Sequence, residues 1–206
     1  MKLNRVERWF VNSPMRRAMQ ALVVRWFRGI RPLAPGADIL EIGCGSGFGA
    51  RMIATHFAPR RLFLSDLDSR MVALAADAVS GDAAAYLGFC VADAEALPFR
   101  SRMADAVFGF GFLHHVPDWR SGLREIQRVL KPAGVYYFEE YYPSLYQNVV
   151  TRRLAAHPSH DRFRSHALRQ ELQIVGLELR QALELKRFGI LGVGVKSGRP
   201  FADVAP

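Results

Sequence analysis

The chain has 206 residues, half of them apolar, and it carries 28 Lys and Arg side chains against 19 Asp and Glu, a net charge of +9. A chain of this length and apolar content buries one substantial core, which excludes a disordered protein, and its two cysteines exclude a disulfide-rich fold. The basic excess lies at the two ends, because residues 1–31 hold eight basic side chains and one acidic, whereas residues 32–140 hold ten basic and thirteen acidic. Basic ends are typical of nucleic-acid binders and of proteins on anionic membranes, so the charge alone does not choose between them.

The sequence disfavours an integral membrane protein and a secreted protein. Its apolar runs are shorter than the roughly 20 residues of a membrane span, and arginines interrupt the stretch that a secretory signal would need. We therefore expect a cytoplasmic protein. Cys44 and Cys90 do not have metal-ligand spacing, and His157 and His160 lie in a loop with Asp161 but without a third ligand, so we expect no metal site.

In chain order, the first predicted element is a helix that begins with Ser13 as N-cap and Pro14 at the first helical position. An apolar stripe at helical spacing follows, and we expect it to pack on the core with the arginines facing water. The stripe consists of Met15, Met19, Leu22, Val23 and Trp26. The alternative is a lid over a binding site or an anchor at a membrane interface, since aromatic side chains at positions 9, 10, 26 and 27 alternate with arginines.

Beyond Pro35 the apolar pattern becomes one of short strands alternating with helices. Strands are predicted at 38–42, 62–65, 86–91, 104–110 and 135–139, with helices at 48–56, 69–79 (capped by Ser69) and 118–130 between them. A turn at 131–134 leads into the fifth strand, and the tail adds one or two helices between 143 and 175, a C-cap at 176, and strands near 177–185 and 188–195. This order predicts a doubly wound α/β sheet of about seven strands with right-handed crossovers.

The first of these strands runs directly into Gly43, Gly45 and Gly47. Alternating glycines let the backbone bend sharply and approach a ligand, and the helix that follows presents free N–H groups to it. The segment from Gly45 to Ala50 fits the dinucleotide-binding fingerprint, in which alanine replaces the last glycine in some proteins. A tight strand–helix turn without a ligand is the alternative.

Carboxylates follow the ends of the strands near this turn. Asp66 ends the second strand, 19 positions after Gly47, where it can accept hydrogen bonds from both hydroxyls of a ribose in NAD or in an adenosyl ligand. Glu41, two residues before the first glycine, can orient the turn or a ligand amine. Asp93, after the third strand, can accept a hydrogen bond from an adenine amino group.

Five segments occur together in one order over about residues 37–140, namely Glu41–Gly47, Ser65–Met71, Asp93–Phe99, Asp105–His115 and Leu123–Pro132. In this order and spacing they resemble the class I S-adenosylmethionine-dependent methyltransferases, in particular the branch typified by the ubiquinone/menaquinone-biosynthesis C-methyltransferases. The resemblance implies a Rossmann-like sheet of strand order 3-2-1-4-5-7-6 with the last strand antiparallel, and S-adenosyl-L-methionine as cofactor. One departure is Ala133 in place of the more usual glycine before Gly134, which affects a turn only.

The resemblance also implies the cofactor contacts. These residues are Glu41, Gly43, Gly45, Gly47, Asp66, Leu67, Asp93, Ala94 and Phe110. By the resemblance, the glycines shape the pocket for the methionyl part of the cofactor, and Asp66 holds the ribose. Asp93 with Ala94 reads the adenine, and Phe110 lies beside the sulfonium centre.

Methyl transfer is an in-line displacement at an activated carbon, so an enzyme mainly positions the acceptor and excludes water. His114 and His115 follow the fourth strand at the edge where ligands of such sheets bind, and either is a candidate catalytic base or acceptor-orienting group. The alternative is that one histidine packs beneath the cofactor while the other caps a turn. The segment Glu139–Tyr142 ends the fifth strand at the same edge, where a carboxylate can bind a cationic acceptor and a tyrosine can shape a pocket.

The acceptor class is constrained by the segment Gly109–Phe112. Enzymes that methylate exocyclic amines of nucleic-acid bases resemble one another in an Asn/Asp-Pro-Pro-aromatic tetrad at this position, which the chain lacks. We therefore expect a small or lipid-like acceptor rather than nucleic acid, peripheral membrane contact through the basic N-terminal helices, and no obligate protein partner. The expected domains are a helical cap over 1–36 and a methyltransferase domain over 37–206.

Two rival functions stay open at this point. A nicotinamide-dependent oxidoreductase is disfavoured by the segment around Asp93 and by the absence of a Tyr-x-x-x-Lys pair near the fifth strand. A non-catalytic module that binds a cofactor or nucleic acid on the same fold predicts steeply salt-dependent binding to RNA or DNA and no methyl turnover.

Overall fold

A computed structural model describes residues 13–79, 87–146 and 161–197 of the protein. The helices in these ranges are α1 (Pro14–Ile30), α2 (Phe48–Phe57), α3 (Ser69–Val79), α4 (Trp119–Val129), α5 (Pro143–Tyr146) and α6 (Ser165–Ile174), with a 3₁₀ turn at Leu113–His115. The strands are β1 (Asp38–Ile42), β2 (Arg61–Asp66), β3 (Leu87–Val91), β4 (Ala104–Phe110), β5 (Leu130–Tyr141), β6 (Leu177–Leu185) and β7 (Gly189–Lys196).

The seven strands form one sheet in the order β3-β2-β1-β4-β5-β7-β6. Strands β1 to β5 run parallel to one another, and β7 is antiparallel to both of its neighbours, β5 and β6. The predicted α/β fold class, strand order and antiparallel last strand are therefore confirmed. Because the strand order reverses between β1 and β4, the carboxyl ends of these two strands flank the crevice in which ligands of such sheets bind.

Two details of the predicted elements are wrong. The predicted turn at 131–134 lies within β5, where it forms an irregularity: the register with β4 passes from Ala104 opposite Leu130 to Ala106 opposite Val135. Helix α3 is capped one residue earlier than predicted, because the Asp68 carboxylate accepts a hydrogen bond from the Arg70 N–H at 3.1 Å. A carboxylate is also the better partner for the positive end of a helix dipole.

Each face of the sheet carries its own core, since side chains of a strand alternate between faces. On one face, Phe108 and Tyr137 stack at 4.5 Å and pack against Phe27 of α1. On the other face, Val107 and Phe138 belong to the core that includes α4 and α6. Glu41, Phe110 and Glu139 follow the alternation of the first face, whereas Glu140 follows that of the second.

The buried side of α1 is not the predicted one. Met15, Met19 and Leu22 are 71%, 44% and 64% exposed, and only Val23 of the predicted stripe is buried. The residues that α1 buries are Arg16, Gln20, Val23, Val24 and Phe27. This set has the same helical spacing as the predicted stripe, but it begins with polar residues, which are buried because the ends of β1 and β5 supply polar groups beside them.

The described residues contain no helix that is both long and apolar enough to cross a bilayer.

Candidate cofactor and acceptor site

The glycine turn after β1 is tied to the end of β2. The N–H groups of Gly43 and Cys44 donate to the carbonyl of Ser65 at 2.8 and 3.0 Å, and the Gly45 N–H donates to a carboxylate oxygen of Asp66 at 3.0 Å. Gly47 caps α2 with a φ of 83°. These bonds hold the turn in one shape before any ligand arrives.

The three positions of this turn need glycine for different physical reasons. All three have positive φ, which costs other residues about 1 kcal/mol or more. A Cβ at Gly43 would lie 2.6 Å from Cβ of Phe112, and one at Gly47 would lie 2.9 Å from Cα of Ala75, so packing requires both. A Cβ at Gly45 would meet no atom within 4 Å. Gly45 therefore borders open space, which is the condition for a ligand to approach the backbone.

Asp66 is half-buried at the end of β2, and both of its carboxylate oxygens are held by backbone. One accepts from Gly45 and the other accepts from the Asp68 N–H at 2.9 Å. Burial raises the pKa of this carboxyl, which the two backbone N–H groups partly oppose. Leu67, 39% exposed, stands beside it at the rim. A carboxylate oxygen has two lone pairs, so each oxygen keeps capacity for a further donor such as a hydroxyl.

Glu41 is buried within the same edge. Its side chain is 1% exposed, and burial raises the pKa of the carboxyl well above its usual range. Gly49 makes room for it, because a Cβ there would collide with Oε1 of Glu41 and approach Nε2 of Gln20 to 2.8 Å. Within the described ranges, Oε2 of Glu41 has no hydrogen-bond partner. A buried polar atom without a partner is uncommon, and it is the feature expected of a group that a ligand satisfies.

The segment after β3 forms a tight turn. The Asp93 carboxylate is exposed and accepts from the Glu95 N–H at 3.0 Å, and the Ala96 N–H donates to the Asp93 carbonyl at 3.1 Å. Ala94 is half-buried, and Glu95 accepts from the Asp118 N–H at 2.9 Å. The turn therefore connects the end of β3 to the start of α4 and leaves the Asp93 side chain exposed.

The end of β4 carries the histidine pair. Phe110 is buried with its ring centre 6.2 Å from that of Phe27. His114 is buried too, and its Nδ1 lies 2.9 Å from Oε2 of Glu140, while the neighbouring His115 is half-buried with its ring 4.2 Å away. His114 fits the interpretation that one histidine packs and hydrogen-bonds beneath the site.

Glu140 organises the loop after β4. Its Oε1 accepts the Leu113 N–H at 2.9 Å, and Oε2 lies 3.3 Å from the N–H of His114. Complete burial raises the pKa of this carboxyl to about 8. From outside, the guanidinium of Arg162 donates to the carbonyls of His114, Val116 and Pro117. The loop is thus held from both sides.

The end of β5 carries a buried ion pair that the sequence analysis missed. Nη2 of Arg16 lies 2.5 Å from Oε2 of Glu139, and both side chains are 5% exposed. The Tyr141 hydroxyl donates to the other oxygen of Glu139 at 3.0 Å. The spacing of Arg16 and Gln20 relative to Phe27 contained the signal, because all three fall on one helix face. A charged side chain on a helix ordinarily faces water, which is why the sequence alone predicts an exposed Arg16.

Near the turn between β6 and β7, a cleft of about 520 Å³ is lined mainly by polar and basic side chains. Its lining residues are Tyr142, Ser144, Arg164, Ser165, His166, Lys186 and Arg187. Tyr142 and Ser144 follow β5 directly, so the cleft opens at the β5 end of the carboxyl edge.

In the three described ranges, no group of three or more His, Cys, Asp or Glu side chains is arranged to hold a metal ion. Of the loop considered in the sequence, His157 and His160 lie outside those ranges. Asp161 pairs with Arg120.

Comparisons with known proteins show what the chain is similar to. Residues 40–138 match a family described as a methyltransferase domain. The chain is 36% identical over 107 residues to a 27-O-demethylrifamycin SV methyltransferase of Amycolatopsis mediterranei, an alignment that covers 52% of the chain and 39% of that protein. It is 35% identical over 102 residues to a ubiquinone/menaquinone biosynthesis C-methyltransferase of Bordetella avium, covering 48% of the chain and 39% of that protein.

A similar solved structure is that of an S-adenosylmethionine-dependent methyltransferase from Aquifex aeolicus. The TM-score is 0.75 at 15% sequence identity, and the alignment covers 95% of this chain and 100% of that one. At this identity, the similarity shows the fold alone. The aligned segments cover well under two thirds of the two curated relatives, 39% of each. The resemblance read from the sequence is confirmed, because residues 40–138 match the methyltransferase-domain family and both curated relatives are methyltransferases.

Proposed function

We propose that the protein transfers a methyl group from S-adenosylmethionine to a small or lipid-like acceptor by in-line displacement. The observation that carries this proposal is the buried Glu41 carboxyl, whose Oε2 has no partner within the described ranges, next to a glycine turn with open space above Gly45. The acidic side chains of Asp66 and Asp93 continue along the same edge of the sheet. This spacing fits an elongated ligand that has an amine at one end and a nucleoside at the other.

In this proposal each part of the chain has a binding role. The glycine turn contacts the methionyl part, Asp66 accepts from the ribose hydroxyls, and Asp93 with Ala94 contacts the adenine. When bound, the cofactor supplies a methyl group activated by its sulfonium. Phe110 lies beside that centre and excludes water, and residues 1–36 act as a helical cap on the domain formed by residues 37–206.

The acceptor side is proposed at the end of β4 and β5. His115, half-buried and in ring contact with His114, accepts a proton if the acceptor must lose one, and His114 is held in place by Glu140. Replacing His115 with alanine is then expected to lower kcat by about 100-fold or more, with cofactor affinity kept. Equal turnover by the variant would show that the acceptor needs no base.

Calorimetry tests the cofactor. We expect S-adenosylhomocysteine to bind the protein and NADH not to bind, since the Asp93 turn and the absence of a Tyr-x-x-x-Lys pair disfavour the nicotinamide alternative. Binding of NADH alone would refute the methyltransferase proposal. Incubation of cell extract with labelled S-adenosylmethionine then reports the acceptor as a newly labelled small molecule or lipid. Strongly salt-dependent RNA binding without any labelled product would favour the non-catalytic module instead.

We also propose peripheral contact with an anionic membrane through α1. Met15, Met19 and Leu22 form an exposed apolar stripe, and the exposed Arg25 lies three residues after Leu22, at the side of this stripe. Apolar side chains beside an exposed cation suit the headgroup region of an anionic bilayer.

Flotation with vesicles of phosphatidylcholine and phosphatidylglycerol tests this contact. We expect salt-sensitive binding that is lost when the three stripe residues become serine. A matched control replaces the exposed Ile174, Leu183 and Leu185 with serine, and it should leave binding unchanged. Equal loss in both variants, or no binding by the unmodified protein, would exclude this role of α1.

A further inference from the structure

We propose that the cleft beside the β6–β7 turn binds a phosphate monoester group carried by the methyl acceptor. This acceptor class rests on the proposed function, since a bound phosphate belongs to an acceptor only if the protein transfers methyl groups. The cleft shares no residue with the proposed cofactor contacts.

Positive charge converges on this cleft from two segments of the chain. Four of its seven lining residues are basic, with Arg164 and His166 at the start of α6 and Lys186 and Arg187 in the β6–β7 turn. The lining, as far as the described residues form it, contains no carboxylate. Cations that meet around one concavity raise the local concentration of an anion, and a guanidinium can hold two phosphate oxygens at once.

The four basic residues of the cleft have no internal anion to neutralise them. None of them takes part in an ion pair within the described ranges. Glu184 is the carboxylate that contacts the cleft residue Tyr142, and its two oxygens accept from the Tyr142 hydroxyl and from Arg169, each at 3.0 Å. The cleft therefore keeps its positive charge for an anion from outside.

The β6–β7 turn presents two of these cations in a fixed position. The Phe188 N–H donates to the carbonyl of Leu185 at 2.7 Å, so Lys186 and Arg187 are the central residues of a tight turn. The Ser144 hydroxyl donates to the Arg187 carbonyl and ties the turn to α5. Lys186 has a φ of 32°, in the region that favours glycine. A lysine held in this conformation is destabilising by itself, and such strain is typical of residues that serve a site.

Helix α5 relates the cleft to the proposed reaction site. The ring of Tyr146 stacks on that of His114 with the ring centres 5.2 Å apart, whereas Ser144 lines the cleft. Residues two apart in a helix lie on opposite sides, because each residue turns the helix by about 100°. A helix with its side chains is about 10 Å across, so the cleft lies on the order of 10 Å from the histidine pair. An acceptor that reaches both carries its anionic group about this far from the methylated atom.

The size and charge of the cleft favour a phosphate over a carboxylate. Its volume of about 520 Å³ falls within the range of about 300–1,000 Å³ that is usual for small-molecule sites, so it can hold the anionic group with part of the molecule attached. A phosphate monoester carries nearly two negative charges at neutral pH and three acceptor oxygens. Three permanently charged side chains in the lining match this group better than they match a single carboxylate.

Calorimetry with phenyl phosphate and benzoate tests the anion, because the two probes share a ring and differ in the anionic group. The protein is first saturated with S-adenosylhomocysteine, which occupies the cofactor site. The cleft variant is Lys186→Gly with Arg187→Gln, and glycine adopts the positive φ without strain, so its thermal midpoint should not fall. The matched control, Arg25→Gln with Arg28→Gln, removes two exposed arginines outside the cleft.

We expect the unmodified protein and the control to bind phenyl phosphate about tenfold or more tightly than benzoate. The cleft variant should lose about tenfold or more of its affinity for phenyl phosphate and keep its affinity for S-adenosylhomocysteine. Equal affinity of the unmodified protein for both probes, or an equal loss in the cleft variant and the control, would overturn the phosphate site and leave the methyltransferase proposal standing.

The labelled product shows whether the phosphate belongs to the methyl acceptor. After incubation of cell extract with labelled S-adenosylmethionine, we expect a product whose elution from an anion exchanger shifts after treatment with alkaline phosphatase. Extraction into organic solvent then distinguishes a phosphorylated lipid from a water-soluble phosphate ester. At low extract concentration, the cleft variant should form this product about tenfold more slowly than the control, because the acceptor binds more weakly.

A product that phosphatase leaves unchanged, or one that the cleft variant forms as fast as the control, would overturn the phosphate site and leave methyl transfer standing. The absence of any labelled product from the unmodified protein would overturn the proposed function, and the acceptor class with it.

Discussion

At the same carboxyl edge, the two faces of the sheet differ in whether their buried carboxylates have hydrogen-bond partners. On the α1 face, Glu41 and Arg16 each keep a buried polar atom without a partner within the described residues. On the opposite face, the Glu140 carboxylate is hydrogen-bonded to the backbone and to the ring of His114, although the buried Tyr136 hydroxyl there lacks a partner within the described residues. A buried carboxylate without an internal partner costs more stability than a hydroxyl, so the carboxylate of the first face is arranged for a ligand and that of the second for rigidity. The comparison predicts that substitutions on the first face change ligand affinity, whereas those on the second change the free energy of unfolding.

The largest effect should come from closing the open space on the α1 face. We expect Gly45→Val to reduce affinity for S-adenosylhomocysteine by about 1,000-fold, because the valine side chain fills the volume over the turn. The positive φ at position 45 should lower the free energy of unfolding by only about 1–2 kcal/mol. The matched control is Gly36→Val, which has similar φ strain, also has room, and lies outside the turn. Calorimetry and thermal unfolding of both variants measure the two effects. Similar affinity in the two would show that Gly45 does not border the cofactor.

The next largest effect is expected on the face opposite α1, in the free energy of unfolding. Glu140→Ala removes the acceptor of the Leu113 N–H and the partner of His114, and should cost about 3 kcal/mol in the free energy of unfolding. Glu140→Gln keeps the shape and one acceptor oxygen, so we expect it to cost less than half as much. Affinity for S-adenosylhomocysteine should stay within about twofold in both, because the comparison places Glu140 outside the cofactor site. Denaturant unfolding and calorimetry measure these quantities, and a large loss of affinity in Glu140→Gln would contradict the separation of the faces.

The fold was predictable to a greater extent than the site. Alternating strands and helices, the glycine turn and the acidic strand ends are local patterns, and with the family resemblance they led to the strand order and to the placement of Gly45 and Asp66. Arg16 could not be placed in this way, because its burial depends on Glu139, 123 residues away in the sequence. Two stripes of the same helical spacing compete on α1, one that begins with methionines and one that begins with Arg16 and Gln20, and the tertiary partner of Arg16 decides which one is buried.

A smaller effect is expected in how the free energy of unfolding depends on pH. Burial raises the pKa of Glu140 from about 4.5 to about 8, so between these values the folded protein keeps a proton that the unfolded chain releases. This contribution to stability is therefore complete below about pH 4.5 and is lost as the pH rises towards 8, by at most about 1.4 kcal/mol per pH unit. We expect denaturant unfolding of Glu140→Gln to show a shallower decline than the unmodified protein over this window. Parallel profiles would mean that Glu140 is ionised in the folded state.

The smallest effect distinguishes the two faces by proton release rather than by affinity. The pKa of Glu41 is raised because the carboxyl is buried without a cation, and a ligand ammonium at its unpartnered oxygen would supply that cation and favour ionisation. Binding of S-adenosylhomocysteine should therefore release up to about one proton near neutral pH, and its affinity should rise with pH. Calorimetry in two buffers of different ionisation enthalpy measures the release. We expect Glu41→Gln to abolish it and Glu140→Gln to leave it unchanged, since only the first carboxyl meets the ligand. Release that persists in Glu41→Gln would place the titrating group elsewhere and remove Glu41 from the ammonium site.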